Sequence, residues 1–464
     1  MQYTFTLFFL TLLVIRKLQA QEPDQVIEFF RHGARAPINN YDPQWPSSEL
    51  GMLTTVGMVE QYDLGKSIAA KYPNLIESGY NPDDVFALAN NVPRCIESAL
   101  VQLSSIYRGL TSTLTTSSQQ SKIDSLIAEY TPSLSVSESS RGNYVPVEVN
   151  VVSSGSQEEL IFNGRALAWC PNLAIYETKN KGSTEMSAGW TTFQTPIQQA
   201  NSYLSDSQVI GSLGELDKAY DAFIADKFDS KTLPGGISDW NLVESLNYGH
   251  AYYQFADEQL QKIQNQLTSF PTIKAIKDQM TNFRQGSRAK KLVLLSGHDK
   301  NIFAILASFG VISLDCLVAN YNDHINSQTP SYPNCQFPGF ASNLIFEFYN
   351  TTSNPYVKVY YNDVIVPLCS GQDTCSYDEF IAFLESATEI DSLNIWNEKC
   401  GNSDDSVSES GLSTGALIGI IAGFVVVSIF VGAGAWILIK KRSFAKITPI
   451  NIKGIQTKVV DLEA

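Results

Sequence analysis

Residues 416–439 contain no charged side chain, and Lys440, Lys441 and Arg442 follow at once. At the helical rise this stretch spans ~36 Å, enough to cross a bilayer once. Basic residues favour the cytoplasmic side, so residues 440–464 read as a cytoplasmic tail and the body of the chain as luminal or extracellular. A shorter apolar run, residues 4–15, precedes Leu18-Gln19-Ala20 and has the length of a secretory signal, residues 1–20, with cleavage expected after Ala20. The two segments confine the folding problem to residues 21–401 and place it in an oxidising compartment. Residues 402–415 are mostly small, polar and acidic and read as a stalk. Gly415, Gly419 and Gly423 are spaced for close packing of membrane helices, which would suit a homodimer. The expectation is a single-pass type I membrane protein of the cell surface, lysosome or phagosome. Its tail contains no tyrosine and so lacks a tyrosine-based lysosomal sorting signal.

Hydrophobic residues make up 44% of the chain and charged residues 17%, which sets a globular body against a disordered one. The net charge of −15 argues against nucleic acid as a partner, because a phosphate backbone demands a basic face. Any phosphate pocket would be a local positive island. Cys369 and Cys375 flank a short loop and suit a local bridge. Cys316 and Cys335 could close a loop rich in Asn and Pro, and Cys170 and Cys400 remain as a long-range pair. Cys95 is left over. Spacing alone does not fix the pairing. No CxxC or His-rich spacing suggests a metal, and no cofactor is implied. Asn350-Thr351-Thr352 is a glycosylation sequon.

Residues 24–30 read as a buried strand, and residues 84–88 as another. Thr54 or Thr55 would cap a helix running to about Lys71, with Val56, Val59, Leu64 and Ile68 on its apolar face. Pro93 opens a helix to about Leu110, and residues 112–122 read as a loop. Residues 190–277 look mostly helical. Residues 290–295 restore a strand, followed by a helix over 301–309, strands over 343–348 and 356–361, and a helix over 377–387. This order predicts an α/β fold: a Rossmann-like domain (about 21–112 and 288–401) interrupted by a smaller, mostly helical cap (about 113–287).

Strand 24–30 runs into Arg31-His32-Gly33-Ala34-Arg35-Ala36-Pro37, and strand 290–295 into Ser296-Gly297-His298-Asp299. Ligands bind at the carboxyl ends of strands in open parallel sheets, so segments about 265 residues apart are expected to meet at one crevice. Arginine offers a planar, permanently charged fork matched to phosphate oxygens, which makes Arg31, Arg35 and Arg94 candidate clamps. Neighbouring cations favour a neutral imidazole, and a neutral His32 is a nucleophile. Asp299 is placed to protonate a leaving oxygen. Together with His298 these residues suit phosphoryl transfer without a metal, the arginines carrying the charge compensation. Of the other histidines, His250 reads as a packing or surface residue and His324 as solvated in a polar loop.

The chain resembles the histidine acid phosphatases, in the branch of the lysosomal and prostatic enzymes. The resemblance rests on residues 30–37, on Gly51-Met52-Leu53-Thr54-Thr55-Val56-Gly57-Met58 with Leu64-Gly65, on Arg94 with Ser98-Ala99, and on residues 296–299. It implies an acid phosphatase acting on small phosphate monoesters, with His32 forming a phosphohistidine. Arg31, Arg35, Arg94 and His298 would hold the phosphate, and Asp299 would act as proton donor. It also implies a disulfide like Cys170–Cys400 and another like Cys369–Cys375. Residues 88–93 depart from the family's Ser/Thr/Asp-rich run with an extra Arg, a change expected to fall on the outer substrate pocket. Gly297 stands where alanine is frequent. Two other readings compete: a phytase-like inositol phosphate phosphatase, which would want a broad basic pocket, and a non-catalytic receptor ectodomain, which would have lost a catalytic residue.

Overall fold

The computed structural model describes residues 22–76, 79–107, 147–162, 169–254, 258–287 and 290–402. The signal, the membrane span, the tail, the loop at 112–122 and all of the stalk beyond Asn402 lie outside the described residues. Among the described residues, no helix is long and apolar enough to cross a membrane.

A mixed sheet forms the centre. Its strands are β1 (Gln25–Arg31), β2 (Val85–Ala89), β3 (Asn150–Val151), β4 (Leu292–Gly297), β5 (Asn343–Tyr349), β6 (Tyr356–Tyr361), β7 (Val364–Ile365) and β8 (Cys375–Ser376). The order is β3-β2-β4-β1-β5-β6-β7, with β8 against β6. From β3 to β1 every pairing is parallel, and from β5 onward every pairing is antiparallel. The reason is local. Residues 350–355 between β5 and β6 are long enough only for a hairpin, whereas the parallel strands are joined through helices.

Helices α1 (Thr55–Lys71), α2 (Pro93–Ile106), α3 (Pro171–Lys181), α4 (Thr184–Thr192), α5 (Gln194–Asn201), α6 (Leu213–Phe228), α7 (Trp240–Tyr253), α8 (Glu258–Arg284), α9 (Asp299–Ser308), α10 (Leu314–Ile325), α11 (Tyr377–Thr388) and α12 (Leu393–Cys400) surround the sheet. Strand side chains alternate between its two faces. Val26, Phe30, Leu292, Leu294 and Ile345 pack on α1 and α2 through Ile68, Ala99, Leu103 and Ile106. Ile27, Phe29, Val293, Leu295 and Phe346 pack on α8, α9 and α11 through Ile276, Met280, Ile302, Leu306 and Phe380. A separate cluster holds α4 to α7 together and takes in Tyr321 of α10. The end of the helical stretch, α8, therefore packs on the sheet.

The face that α1 buries differs from the apolar stripe read from its sequence. Gly57, Gln61, Gly65 and Ile68 are buried, while Val59 points to solvent. The reason is close approach. A Cβ on Gly57 would lie 2.1 Å from the Ala34 carbonyl oxygen, and one on Gly65 would lie 2.4 Å from that of Gln102. Backbone proximity selects glycine here, and hydrophobicity gives no sign of it. Inside α8, Pro271 has no N–H to offer the Leu267 carbonyl. The indole Nε1 of Trp396 donates to that oxygen instead, at 2.8 Å. Trp396 sits on α12, which the Cys170–Cys400 disulfide ties to the start of α3. Cys316–Cys335 and Cys369–Cys375 are also bonded, and Cys95 is a buried free thiol.

Candidate active site

β1 and β4 are parallel neighbours, with Arg31 beside Gly297. Their carboxyl ends therefore release His32 and His298 at the same edge of the sheet. The two imidazoles stand edge to face with centroids 5.6 Å apart. Arg31, His32, Arg35, Arg94, His298 and Asp299 all line one cavity of about 680 Å³. The six residues singled out in the sequence thus meet in one place. The α9 helix starts at Asp299, so its positive dipole end lies at the edge of the same cavity.

The loop after β1 is held from several sides. His32 N donates to Gly297 O at 3.1 Å, and Ala341 N donates to His32 O at 3.2 Å. Gly33 N donates to Ser98 Oγ at 3.2 Å, Ala34 N to Glu60 Oε2 at 2.7 Å, and Gln61 Nε2 to Arg31 O at 3.0 Å. The loop is pressed on α1 so closely that a Cβ on Gly33 would lie 2.2 Å from the Gly57 carbonyl oxygen. Gly297 is fixed by its own neighbours. An alanine Cβ there would lie 2.5 Å from Phe29 Cζ and 3.0 Å from Phe162. In this chain the missing methyl is therefore a packing requirement.

The His32 Nδ1 is 2.9 Å from the Gly33 carbonyl oxygen. A carbonyl only accepts, so Nδ1 carries the proton and Nε2 keeps its lone pair. Burial, then Arg31, Arg35 and Arg94, hold the His32 pKa well below the ordinary histidine value. Burial and Arg94 likewise lower His298, to about 3. Both rings are thereby shifted toward their neutral forms. For Asp299, burial alone would raise the carboxyl. Arg31 first, then Lys300, Arg35 and His298, outweigh it and hold the group well below the usual carboxylate range.

The guanidinium groups are arranged to receive an anion. Arg31 bonds Asp299 at 2.8 Å and Pro338 O at 2.7 Å, and lies 4.2 Å over the Phe340 ring. Arg35 pairs with Asp221 of α6 at 2.6 Å. Arg94 reaches Gly51 O at 3.3 Å. The Nε groups of all three arginines are buried and have no hydrogen-bond partner among the described residues. Three cations face two carboxylates, Asp299 and Asp221, so the island keeps a positive surplus. Nothing in the arrangement resembles a metal site: among the described residues, no cluster of His, Cys, Asp and Glu could hold an ion.

Other residues in and behind the cavity were not singled out by the sequence. Asn90 Nδ2 lies 2.7 Å from His298 Nε2. The departure at residues 88–93 thus falls against the inner histidine, while none of those six residues lines the cavity. A polar residue directly after a strand was the signal available for it. Asp221 had no such signal, since it lies mid-helix on α6. His250 is buried and packs as expected, stacked on Tyr220 with centroids 4.8 Å apart. It also lines the cavity, with Nδ1 3.0 Å from Asp217. His324 is not in a loop: it ends α10 and lies near Asn241 O at 3.0 Å and Ser245 Oγ at 3.1 Å. Residues that cap one helix against another look like loop residues in sequence. Asn350 lies in the hairpin turn after β5, its N–H bonded to Asp24 at 2.7 Å.

A sheet-edge crevice that gathers two imidazoles among three arginines suits the chemistry of phosphate esters. The pattern of the histidine phosphatase superfamily (branch 2) matches residues 23–362; the chain belongs to that family and is a phosphoric monoester hydrolase. It is 22% identical over 430 residues to the lysosomal acid phosphatase of Xenopus laevis, covering 88% of this chain and 85% of that protein. It is 25% identical over 341 residues to the testicular acid phosphatase of Homo sapiens, covering 70% and 67%. In fold it is similar to the phytase of Citrobacter braakii, with a TM-score of 0.54 at 15% identity over 79% of this chain and 98% of that one.

Proposed function

We propose that this protein is a membrane-anchored acid phosphatase that hydrolyses small phosphate monoesters through a phosphohistidine on His32. The observation that supports this most is the convergence of His32, His298 and three arginines, from distant parts of the chain, on one cavity. His32 Nε2 attacks phosphorus in line, and the bond to the leaving oxygen breaks. Arg31, Arg35, Arg94 and His298 hold the other oxygens, and the charge that spreads over them is met by groups already in place. Asp299 gives the leaving oxygen its proton. Water then attacks the phosphohistidine, Asp299 takes a proton from it, and phosphate leaves.

Asp299, ionised beside Arg31, fits this scheme only with substrate present. An incoming phosphate dianion competes for Arg31 and adds negative charge beside the carboxyl. Both effects raise its affinity for a proton. Acidic medium then fills the donor, while His32 stays neutral because burial and the arginines depress it. The pH preference therefore comes from two oppositely tuned groups.

A phytase reading gains nothing from the structural likeness, which concerns the fold. Around the outer cavity Lys218, Lys227 and Lys300 stand among Asp217 and Glu244, with Asp221 already paired to Arg35, so the lysines form no strong basic cluster for a polyanion. The anchor would be residues 416–439, with the catalytic body luminal or extracellular and Asn350 available for glycosylation. The test is His32→Ala. Turnover of an aryl phosphate at acidic pH should vanish while the protein stays folded. Quenched wild-type reactions should hold an acid-labile, base-stable phosphate on His32. Retained turnover in the variant would overturn the reading.

A further inference from the structure

We propose that Asn90 is a positioning residue: its carboxamide decides which nitrogen of His298 carries the proton, and so makes His298 a hydrogen-bond donor toward phosphate. This rests on the phosphatase reading above.

The geometry is direct. Asn90 follows β2, and its backbone N–H donates to Ser296 O at 3.1 Å, which fixes it beside the end of β4. Its side-chain Nδ2 lies 2.7 Å from His298 Nε2. An amide nitrogen only donates, so Nε2 must present its lone pair. The His298 ring is buried among Arg94, Arg31 and Arg35, which disfavour a second proton. A neutral ring has one proton to place, and with Nε2 accepting it sits on Nδ1. The other tautomer would turn a lone pair toward an oxyanion, which repels it.

The other polar contact cannot make this choice. Cys95 Sγ lies 3.9 Å from Nδ1 and 3.9 Å from Nε2, so it favours neither nitrogen, and it also lies 3.6 Å from Gly297 O. Asn90 is therefore the one hydrogen-bonding side chain among the described residues that distinguishes the two ring nitrogens of His298. Reversing its amide would reverse the outcome: Oδ1 would accept from Nε2–H and leave Nδ1 bare.

The experiment uses the full chain, labelled with 15N-histidine, and inorganic phosphate as the probe. The chain has four histidines, so His298 can be assigned by its loss in His298→Asn. The ligand-free wild type should show His298 protonated at Nδ1. Asn90→Leu should abolish that preference, weaken phosphate binding and raise KM by roughly ten- to a hundredfold, with a smaller change in kcat. Asn90→Asp keeps the shape and reverses the sign. A carboxylate only accepts, so it draws the proton to Nε2, and phosphate binding should weaken near neutral pH. Binding should recover in acid, because the introduced carboxylate offsets the arginines around His298 and lets the ring take a second proton. A merely structural role would not produce that pH-dependent rescue. An Nε2–H wild-type ring, or an Asn90→Leu variant with unchanged tautomer and phosphate affinity, overturns the proposal. If wild-type chain neither binds phosphate nor turns over an aryl phosphate, the phosphatase reading fails instead, and the ligand-free tautomer still judges Asn90.

Discussion

The cavity has two unlike halves. One is built from strand ends and the turns and helix starts that follow them: Arg31 closing β1, His32 and Arg35 just after it, Arg94 in the first turn of α2, His298 after β4 and Asp299 opening α9. The other is built from the inward faces of α6 and α7 and carries Asp217, Asp221, Glu244 and His250. In the first half, parallel pairing fixes positions through backbone hydrogen bonds in register, and glycines let backbones touch. In the second, positions depend on how two helices lie against each other. The first arrangement holds reacting groups to the tolerance that chemistry needs; the second tolerates variation. The halves meet at the Arg35–Asp221 pair of 2.6 Å.

If the strand-end half carries the chemistry, its loss should be felt in kcat and should depend on the leaving group. Asp299→Asn should lower kcat for an alkyl phosphate by on the order of 10²–10⁴. For p-nitrophenyl phosphate, whose leaving group departs without help, the fall should be far smaller. Rapid-quench rates of phosphorylation on the two substrates check this. Equal losses would remove the donor role.

Asp221 tests the junction. Asp221→Asn removes the counter-charge of Arg35 and weakens the grip on Ile38 N, which donates to the same carboxylate at 2.7 Å. The side chain touches no expected reacting atom. The expected result is a KM raised about tenfold, the worth of one charge-assisted contact, with kcat within a few-fold of wild type. A collapse of kcat comparable with that of Asp299→Asn would mean that the helix half shares the chemistry.

The two halves also differ in how far they were legible. β1, β4 and the residues after them could be read from sequence because a continuous apolar run ending in Gly, His and charged residues suits a buried strand that opens into a polar turn, and suits little else. The convergence of residues 31 and 298 followed from the rule for strand ends. The antiparallel side of the sheet was legible as strands but not as pairing, which depends on the short connection at 350–355. The buried face of α1 was misread because Gly57 and Gly65 are chosen by backbone contacts, which leave no hydrophobic trace. Asp221 and Asp217 were invisible for a related reason: an acidic residue on an amphipathic helix is ordinarily solvated. Asp221 is half-buried by the docking of α6 over the loop at 38–39, and Asp217 by His250 and Gln254.

Each half also hides a carboxyl from water, and their titration separates the halves by stability. Glu28, in β1, accepts from Gln102 at 2.6 Å and Asn343 at 2.7 Å, and burial pushes its pKa up to about 7. Asp226, in α6, accepts from Trp45 Nε1 at 2.6 Å; burial, and then the carboxyl of Asp42, push it up to about 8. A carboxyl with a higher pKa folded than unfolded binds more protons in the folded state. Its contribution is complete below the unfolded value of about 4 and drains away as pH rises through the folded one. The protein should therefore melt at lower temperature at pH 8 than at pH 5. Asp226→Asn should flatten that decline by on the order of a few °C, because an amide N–H can face Asp42 at every pH. Glu28→Gln should flatten it too, yet lower Tm throughout: one end of the new amide must face a donor where the carboxylate accepted two. Calorimetric melts from pH 5 to 8 check both. If Asp226→Asn left the slope unchanged, the buried pair with Asp42 would not be sharing a proton, and the helix half would owe none of its pH dependence to it.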